Sequence, residues 1–441
     1  MDNLSHTVGS LVAGEFVHRC LPRETDSARQ SLRRRLLLVT CALAGNFPDL
    51  DLVLTPLLPA PIGYLLHHRG HTHTLLYALP QALLLAALLW LLWPGARRLL
   101  RDSRSARRGF GLALAAGFGL HLAMDYLNSY GLHPFHPFDS AWRYGDLVFI
   151  LEPFFWISLG IPMAMMIGRR WLRIAAVLLL LGPPLHFTIQ GYLPWASLAA
   201  LTLLALLLGA AQRRAGLEGR SGLVLGLAAA LAFVAVQDHA SALAREAVRR
   251  HAHRQDPDSR LLDAALTPFP ANPLCWNFVS VESNEAADRY RLRRGLLSLA
   301  PEWMPVPACP AGLAERPAQV PVSPAMALLS EEQGSLAALR RLKEENCHFR
   351  AWLRFARMPS VGSGSAADLR YAGRGENFTT LRFAEFSDRS CPRHVPQWDF
   401  PRRDLLMPGV AQADGRQGTA SSPLANPVPQ ETAGPKQDAP L

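Results

Sequence analysis

The chain contains 441 residues, of which 49% are hydrophobic and 18% are charged. An ordinary soluble domain carries about 25% charged residues, so this composition argues against a purely soluble enzyme. Long runs of Leu, Ala and Val also exclude disorder over most of the length, because a disordered chain carries far less apolar surface. The formal net charge is +10, and its meaning depends on where the arginines lie.

Six apolar stretches approach the length needed to cross a bilayer, which is about 20 residues. They cover residues 74–93, 109–127, 148–168, 172–189, 194–211 and 222–238. Two weaker candidates, residues 4–18 and 36–46, precede them. No basic stretch comes before the first segment, so we expect no removable signal peptide. The pattern predicts a mainly α membrane bundle of six to eight helices over residues 1–238.

Arginines in the short connections set the expected orientation of these helices. Eighteen lie in the segments 19–35, 94–108, 169–173 and 212–221, whereas the alternate connections hold only Arg69 and Arg143. Because cytoplasmic loops carry the arginine excess, both termini are predicted to lie outside. The placement of the arginines in cytoplasmic loops accounts for the positive net charge of the chain. We therefore expect membrane lipids as partners and no nucleic acid.

Residues 239–407 differ in character from the first half, with mixed charge and many prolines. They predict a small periplasmic α+β domain, with strand-like pieces at 277–282 and 380–386 and helical spacing over 331–355. Residues 408–441 are rich in Gly, Ser, Pro, Gln and Ala and predict a disordered tail. The domain contains Cys275, Cys309, Cys347 and Cys391. An oxidising compartment favours two disulfides among them, but three pairings remain open.

Histidines and carboxylates gather at the ends of the predicted helices. The candidates are His6, Asp49, Asp51, His68, His73, His121, Asp125 and Glu152. With the direction of each helix set by the arginines, all of them fall at the same, outer end. Ionisable residues in membrane segments are costly and usually functional. Imidazoles and carboxylates that converge at one depth indicate a metal site.

The spacing of these residues sharpens the hypothesis. His121 and Asp125 are four residues apart, so both project from one helix face. Asp49 and Asp51 follow Pro48 and can point the same way in an extended turn. His68 and His73 lie about 140° apart on an ideal helix, so they share a site only if the helix breaks near Gly70.

Eight candidates are twice what one tetrahedral zinc ion accepts. Either two divalent ions share the site, or about half of the set are bases and orienting groups. We expect Asp49 or Glu152 to act as general base and Arg69 to hold an anionic substrate group. His67 and His71 stay undecided. Taken singly, each candidate also has a structural interpretation, such as a helix cap or an interfacial carboxylate.

Several motifs resemble the YdjM-like, LexA-associated inner-membrane proteins, which are described as metal-dependent hydrolases. The matching segments are 2–7, 47–51, 68–74, 121–125, 128–131, 137–138, 150–154 and 272–276. The resemblance covers about residues 1–280, and its most specific part is the stretch from His68 to His73. Glu152 stands where members of the family often carry Asp. The resemblance implies a bacterial inner membrane and hydrolase chemistry, and it names no substrate.

The leading hypothesis is an integral inner-membrane hydrolase whose metal centre opens to the periplasmic side. A site at headgroup depth favours a lipid-linked substrate or a phosphoester. One alternative is a transporter of metal or small solutes, although the cytoplasmic helix ends offer chiefly arginines, which disfavours a cation path. Another alternative is a non-catalytic membrane scaffold whose outer domain binds a partner.

Overall fold

The computed structural model describes residues 1–310, 320–373 and 375–407, and it begins with ten helices that precede the first strand. In chain order these are α1 (Asn3–Cys20), α2 (Ser27–Ala44), α3 (Ile62–His67), α4 (Leu75–Leu92), α5 (Pro94–Asp102), α6 (Arg104–Tyr126), α7 (Pro153–Met165), α8 (Arg170–Ile189), α9 (Trp195–Ala215) and α10 (Ser221–Gln255). Each of the eight predicted membrane segments contains a helix. The predicted disordered tail, 408–441, lies outside the described residues.

Five helical segments in the described part of the chain are long and apolar enough to cross a membrane. They are Ser27–Leu57, Leu75–Leu92, Arg170–Ile189, Trp195–Ala215 and Ser221–Gln255. Two of the six clear predictions fall outside this set, namely α6 and α7. Helix α7 is apolar but has only 13 residues, fewer than a bilayer crossing requires.

Helices α1, α2 and α6 pack closely because small residues lie at their contacts. A Cβ added to Gly117 of α6 would lie 2.7 Å from the Cys41 carbonyl oxygen of α2. A Cβ added to Gly14 of α1 would lie 3.0 Å from the Leu37 carbonyl oxygen. In apolar surroundings such small residues let helix backbones approach. The close approach aligns the ends of these three helices.

The arginine-rich ends meet at one end of the bundle. Buried Glu15 of α1 accepts hydrogen bonds from Arg19 Nε and Arg34 Nε, both at 2.7 Å. Arg19 also donates to the carbonyl of Gly219, at 2.7 Å, in the connection between α9 and α10. Two separate arginine-rich connections therefore contact each other, as the charge pattern predicts.

A five-stranded antiparallel sheet follows α10. Its strands are β1 (Arg260–Phe269), β2 (Asn272–Asn284), β3 (Arg289–Ser298), β4 (Val320–Ser323) and β5 (Met326–Ser335), in the spatial order β1-β2-β3-β5-β4. The remaining elements are α11 (Leu336–Glu345), α12 (Cys347–Trp352), β6 (Pro359–Val361), β7 (Ala366–Asp368) and α13 (Arg403–Leu406). The mainly α bundle followed by a small α+β domain is thus confirmed.

Details of the second half differ from the sequence prediction. The predicted strand at 277–282 lies in β2, but the predicted strand at 380–386 is wrong, because Phe383–Phe386 forms a short 3₁₀ turn. The helical prediction for 331–355 began too early, since 331–335 belong to β5, where they pair with β3. The four cysteines form the pairs Cys275–Cys309 and Cys347–Cys391, which spacing alone left open.

The described residues of 239–407, which we call the outer domain after their predicted location, pack directly on the helical part. Helix α10 runs for 35 residues, and Ala244 and Val248 in its second half pack against Leu266 and Trp276 of the sheet. A larger core joins α3 and the connection between α6 and α7 to the last segments of the chain. It includes Ile62, Leu65, Tyr130, Trp142, Trp352, Phe355 and Trp398.

A buried ion network ties the two parts together. Arg357 donates to both carboxylate oxygens of Asp146, at 2.8 and 2.9 Å, and to Asp263 of β1 at 2.7 Å. Asp146 belongs to the connection between α6 and α7, and Arg245 of α10 also reaches it, at 3.1 Å. Burial favours the neutral form of Asp263, but Arg357 and the neighbouring Arg402 hold the pKa of this carboxyl well below its ordinary value.

We expect replacement of Arg357 by Leu to destabilise the protein strongly. The change leaves two buried carboxylates without their main partner, which costs about 3–5 kcal/mol in comparable buried pairs. The measurement is the free energy of unfolding, from denaturant titration of the full chain in detergent. The exposed Arg382, which pairs with Glu376 and Glu385, provides a control, and Arg382→Gln should change stability little. Equal effects of the two replacements would contradict the structural role of Arg357.

Candidate metal centre

His121 and Asp125 lie in the last turns of α6, on one face. Both side chains are fully buried. The Nδ1 atom of His121 donates to the Gly45 carbonyl at 2.8 Å, just after α2. A carbonyl only accepts, so Nδ1 carries the proton and the Nε2 atom of a neutral ring presents its lone pair. The end of α2 therefore fixes which nitrogen of His121 faces the site.

His73 reaches the same point from the segment between α3 and α4. Helix α3 ends at His67, and Arg69 adopts a positive φ of 59° before a short 3₁₀ turn over His71–His73. The expected break near Gly70 is therefore present. His73 Nδ1 lies 3.2 Å from Asp51 Oδ2, while its Nε2 lies 2.9 Å from His121 Nε2. The carboxylate orients the His73 ring as the carbonyl orients His121.

Asp49 and Asp51 lie on a 3₁₀ helix, Pro48–Leu57, that follows α2. The expected extended turn is wrong, because proline has a fixed φ that suits the first turn of a helix. The two side chains consequently reach His73 at different ring atoms. Asp49 Oδ1 lies 3.4 Å from His73 Nε2 and 3.7 Å from His121 Nε2, whereas Asp51 contacts the Nδ1 side.

Four side chains form a group that can hold a metal ion. One ligand atom from each of Asp49, His73, His121 and Asp125 lies within 4.8 Å of the others. Asp125 Oδ2 lies 3.2 Å from His73 Nε2 and 3.5 Å from His121 Nε2. In the described part of the chain, this oxygen is buried without a hydrogen-bond partner. Two imidazole nitrogens and two carboxylates are a donor set that suits zinc and similar divalent ions.

The facing histidines show that the group fits a cation. Each Nδ1 is held by an acceptor, so when both rings are neutral the two Nε2 lone pairs point at each other across 2.9 Å. Lone pairs at this distance repel unless a proton or a metal ion lies between them. The two carboxylates add negative charge at the same point. The residues therefore fit a divalent ion by both their donor atoms and their charge.

Cationic groups surround the other oxygen of Asp125. Arg69 Nη2 lies 2.8 Å from Asp125 Oδ1, and the amino group of Met1 also contacts this oxygen. His6 stacks on His121 with ring centroids 4.1 Å apart, and its Nε2 lies 3.3 Å from Asp125 Oδ1. Arg69 was expected to hold substrate charge. That role stays a prediction; the guanidinium binds Asp125 and the Asn128 side chain, the latter at 3.1 Å, so much of its charge is compensated.

His68 lies beside the group of four rather than in it. Its Nδ1 donates to Asp51 Oδ1 at 3.0 Å, so one carboxylate bridges His68 and His73. Asp51 also accepts from the Arg69 backbone N–H at 3.0 Å and the Thr72 hydroxyl at 2.6 Å. The His68 side chain is 14% exposed and lines a cavity. His68 therefore presents a histidine–carboxylate pair to that cavity.

Glu152 lies outside the group of four. It is fully buried at the start of α7 and accepts from the backbone N–H of Phe154 at 3.1 Å. It also accepts from the N–H of Ala271 at 3.0 Å, in the turn between β1 and β2. These contacts join α7 to the sheet. His67 and His71, which the sequence left undecided, are also outside the group.

A cavity of about 390 Å³ lies between the helical part and the sheet. His68, Arg69 and Asn128 line it from the helical side, and Arg294 lines it from β3. Aromatic residues of the outer domain and of the connections form much of its wall, namely Tyr64, Tyr130, Phe278, Tyr371 and Phe378. Burial raises the pKa of Tyr371 to about 12, so its hydroxyl is neutral at ordinary pH.

The residues from the second half of the chain were missed by the sequence analysis. Tyr371 and Arg294 lie more than 200 residues from His68 along the chain, and no spacing rule connects them. The one available signal was the segment 272–276, which resembles a family element and forms the start of β2, a strand that lines the cavity.

In comparison with known proteins, residues 1–237 match the family described as YdjM inner membrane protein. The uncharacterized protein YfhP of Bacillus subtilis (strain 168) is 32% identical over 117 residues, which are 26% of this chain and 32% of that protein. The chain thus covers about a third of this relative's length. No solved structure matches. The family match spans more than half of the chain and includes every residue of the group of four, so the protein belongs to the YdjM inner membrane protein family.

Proposed function

We propose that this protein is a metal-dependent hydrolase of the inner membrane, with its metal centre on the periplasmic side. The observation that carries the proposal is the pair of Nε2 atoms of His73 and His121, 2.9 Å apart and flanked by Asp49 and Asp125. The substrate class that the surroundings favour is a phosphate ester, either soluble or linked to a lipid.

The residues divide into ligands and groups that position or move protons. Asp49, His73, His121 and Asp125 would hold the ion, which when bound supplies Lewis acidity toward a phosphoryl oxygen and a water molecule. Asp51 and the Gly45 carbonyl orient the two imidazoles. His68, held by Asp51 and facing the cavity, accepts or donates the proton exchanged during hydrolysis through its Nε2.

Two structural features support a periplasmic position for the outer domain and the metal centre. The outer domain contains two disulfides, which persist in oxidising compartments. The arginine-rich connections around Arg19 and Arg34 lie at the helix ends opposite to His73 and His121, as in proteins whose positive loops are cytoplasmic.

A transport function receives less support from the bundle. At the arginine-rich end, Glu15 is held by Arg19 and Arg34, and Arg33 is fully buried with Glu24 at 3.1 Å. A cation path would need available carboxylates there. These carboxylates are instead neutralised by arginine.

Replacing both His73 and His121 by Ala should remove the bound metal, since the change deletes both imidazole ligands. We expect the purified full chain to contain at least one divalent ion per molecule by elemental mass spectrometry, and the double variant to retain less than a tenth of it. His186→Ala, in the exposed part of α8, is the matched control and should keep the metal. Unchanged metal content in the double variant would rule out this centre.

Replacing His68 by Gln should lower turnover and leave the metal in place. We expect the rate on bis-(p-nitrophenyl) phosphate and p-nitrophenyl phosphate to fall by about 10²–10⁴-fold, the usual effect of losing a general acid or base. Asp51→Asn should behave differently and weaken metal affinity by about 10–100-fold, because this carboxylate orients a ligand. If the His68→Gln variant loses the metal as well as the activity, His68 is a ligand and the proton-transfer role is wrong.

The periplasmic position can be tested with reporters fused after residue 441. Alkaline phosphatase needs an oxidising compartment for its disulfides, so we expect the fusion to be active in intact cells. A green fluorescent protein fusion exported in the unfolded state should stay dark. The same reporters placed in the segment 94–108 should give the reverse result. An active fluorescent fusion at residue 441 would place the outer domain in the cytoplasm.

A further inference from the structure

We propose that Arg294 binds the anionic group of the substrate, and that the outer domain thereby selects phosphate-bearing molecules for the metal centre. The inference rests on the proposed function where it concerns the reaction. The anion site itself is argued from contacts that do not involve the metal centre. Arg294 lies on β3 and lines the same cavity as His68 and Arg69.

The register of the sheet places Arg294 on the face that looks into the cavity. Arg294 pairs with Val279 of β2, which in turn pairs with Ala265 of β1. All three line the cavity, as do Asn277 and Thr267 two residues further along their strands. Side chains alternate along a strand, so these residues share one sheet face. Asn277 and Arg294 are diagonal neighbours on it, close enough to contact one ligand.

Arg294 differs from its neighbours on β3 by having no acidic partner. Arg293 points to the other face and is paired with Glu282 and, at 2.8 Å, with Glu331. Arg291 is paired with Asp256 at 3.2 Å. Within the described residues, Arg294 forms no ion pair and no side-chain hydrogen bond, and neither does the side chain of Asn277. Two polar side chains with unused donors therefore face one cavity.

A half-buried guanidinium without a partner is costly in free energy. Burial lowers the pKa of Arg294, which shows that its surroundings disfavour the charge. The other arginines that line the cavity are already compensated, because Arg69 binds Asp125 and Arg370 binds Asp368 at 2.7 Å. Among the described arginines that line this cavity, Arg294 is thus the one whose guanidinium has no carboxylate partner and can pair with a ligand.

The chemistry of the wall indicates what kind of anion fits. A guanidinium forms two parallel hydrogen bonds with a phosphate, which matches the phosphoester chemistry of the proposed centre. Tyr64, Tyr130, Tyr371 and Phe378 offer an apolar surface for the body attached to that phosphate. The predicted ligand is therefore a phosphate joined to an apolar or aromatic group, and this chemistry is shared by soluble esters and lipid headgroups.

The test measures binding of phenylphosphonate, an analogue that resists hydrolysis, to the purified full chain by isothermal titration calorimetry. We expect it to bind at least tenfold more tightly than benzyl alcohol, which has the ring without the charge. Arg294→Gln should remove most of this difference and Arg294→Lys only part of it. Asn277→Ala should weaken binding by several-fold. Arg341→Gln, on the exposed side of α11, is the control and should bind as the unchanged protein does.

Two further arms separate the source of the anion and the role of the metal. The titrations are also run with inorganic phosphate and with dihexanoyl phosphatidic acid in place of phenylphosphonate. If Arg294→Gln weakens the binding of inorganic phosphate more, the source of the anion is soluble; if it weakens the binding of phosphatidic acid more, the source is a lipid. The titrations are repeated in the His73→Ala/His121→Ala variant. Persistence of the Arg294 effect there establishes the anion site even if the metal assignment fails. Equal affinity of phenylphosphonate for the unchanged protein and for both Arg294→Gln and Asn277→Ala overturns the proposal.

Discussion

The convergence of two imidazole Nε2 atoms and two carboxylates at one buried point is the constraint on which the site depends. His73 and His121 come from different parts of the chain, yet each presents Nε2 to the other because its Nδ1 is held by a fixed acceptor. Asp49 and Asp125 concentrate negative charge at the same point. A proton or a divalent cation between the imidazoles would relieve any repulsion and balance the carboxylates, so the four side chains could hold a metal ion.

Asp51 and Asp125 contact different charged and polar groups around this point. Asp125 directs Oδ2 to the two histidines and Oδ1 to Arg69 and His6, so cationic groups already compensate Oδ1 whereas Oδ2 faces the candidate metal position. Asp51 connects the proposed ligand His73 to the proposed proton carrier His68. A change in metal occupancy at His73 is therefore electrostatically coupled to His68 through one carboxylate.

The outer domain forms one side of the cavity that lies beside this centre. Arg357 holds β1 and the connection between α6 and α7 together through Asp263 and Asp146, and buried aromatic residues fill the space around it. The sheet also contacts the connection between α6 and α7 through Thr267 and Ser129, and the start of α7 through Ala271 and Glu152. The wall that a substrate would meet comes from both halves of the chain, while the four proposed metal ligands come from the first half alone.

The sequence by itself determined the helical bundle, its arginine-rich and histidine-rich ends, and the placement of His121 and Asp125 on one helix face, because helical periodicity and charge placement are local properties. Tertiary structure alone decided that Asp49 lies in the group of four while Asp51 contacts His73 Nδ1 and His68, since residues two apart on a 3₁₀ helix project in different directions. The tertiary structure also decided that Glu152 caps α7, and it decided which cysteines form disulfides. Arg294 became visible only when strand register placed it beside the cavity, because contacts between residues so far apart in sequence follow from packing and leave no local pattern.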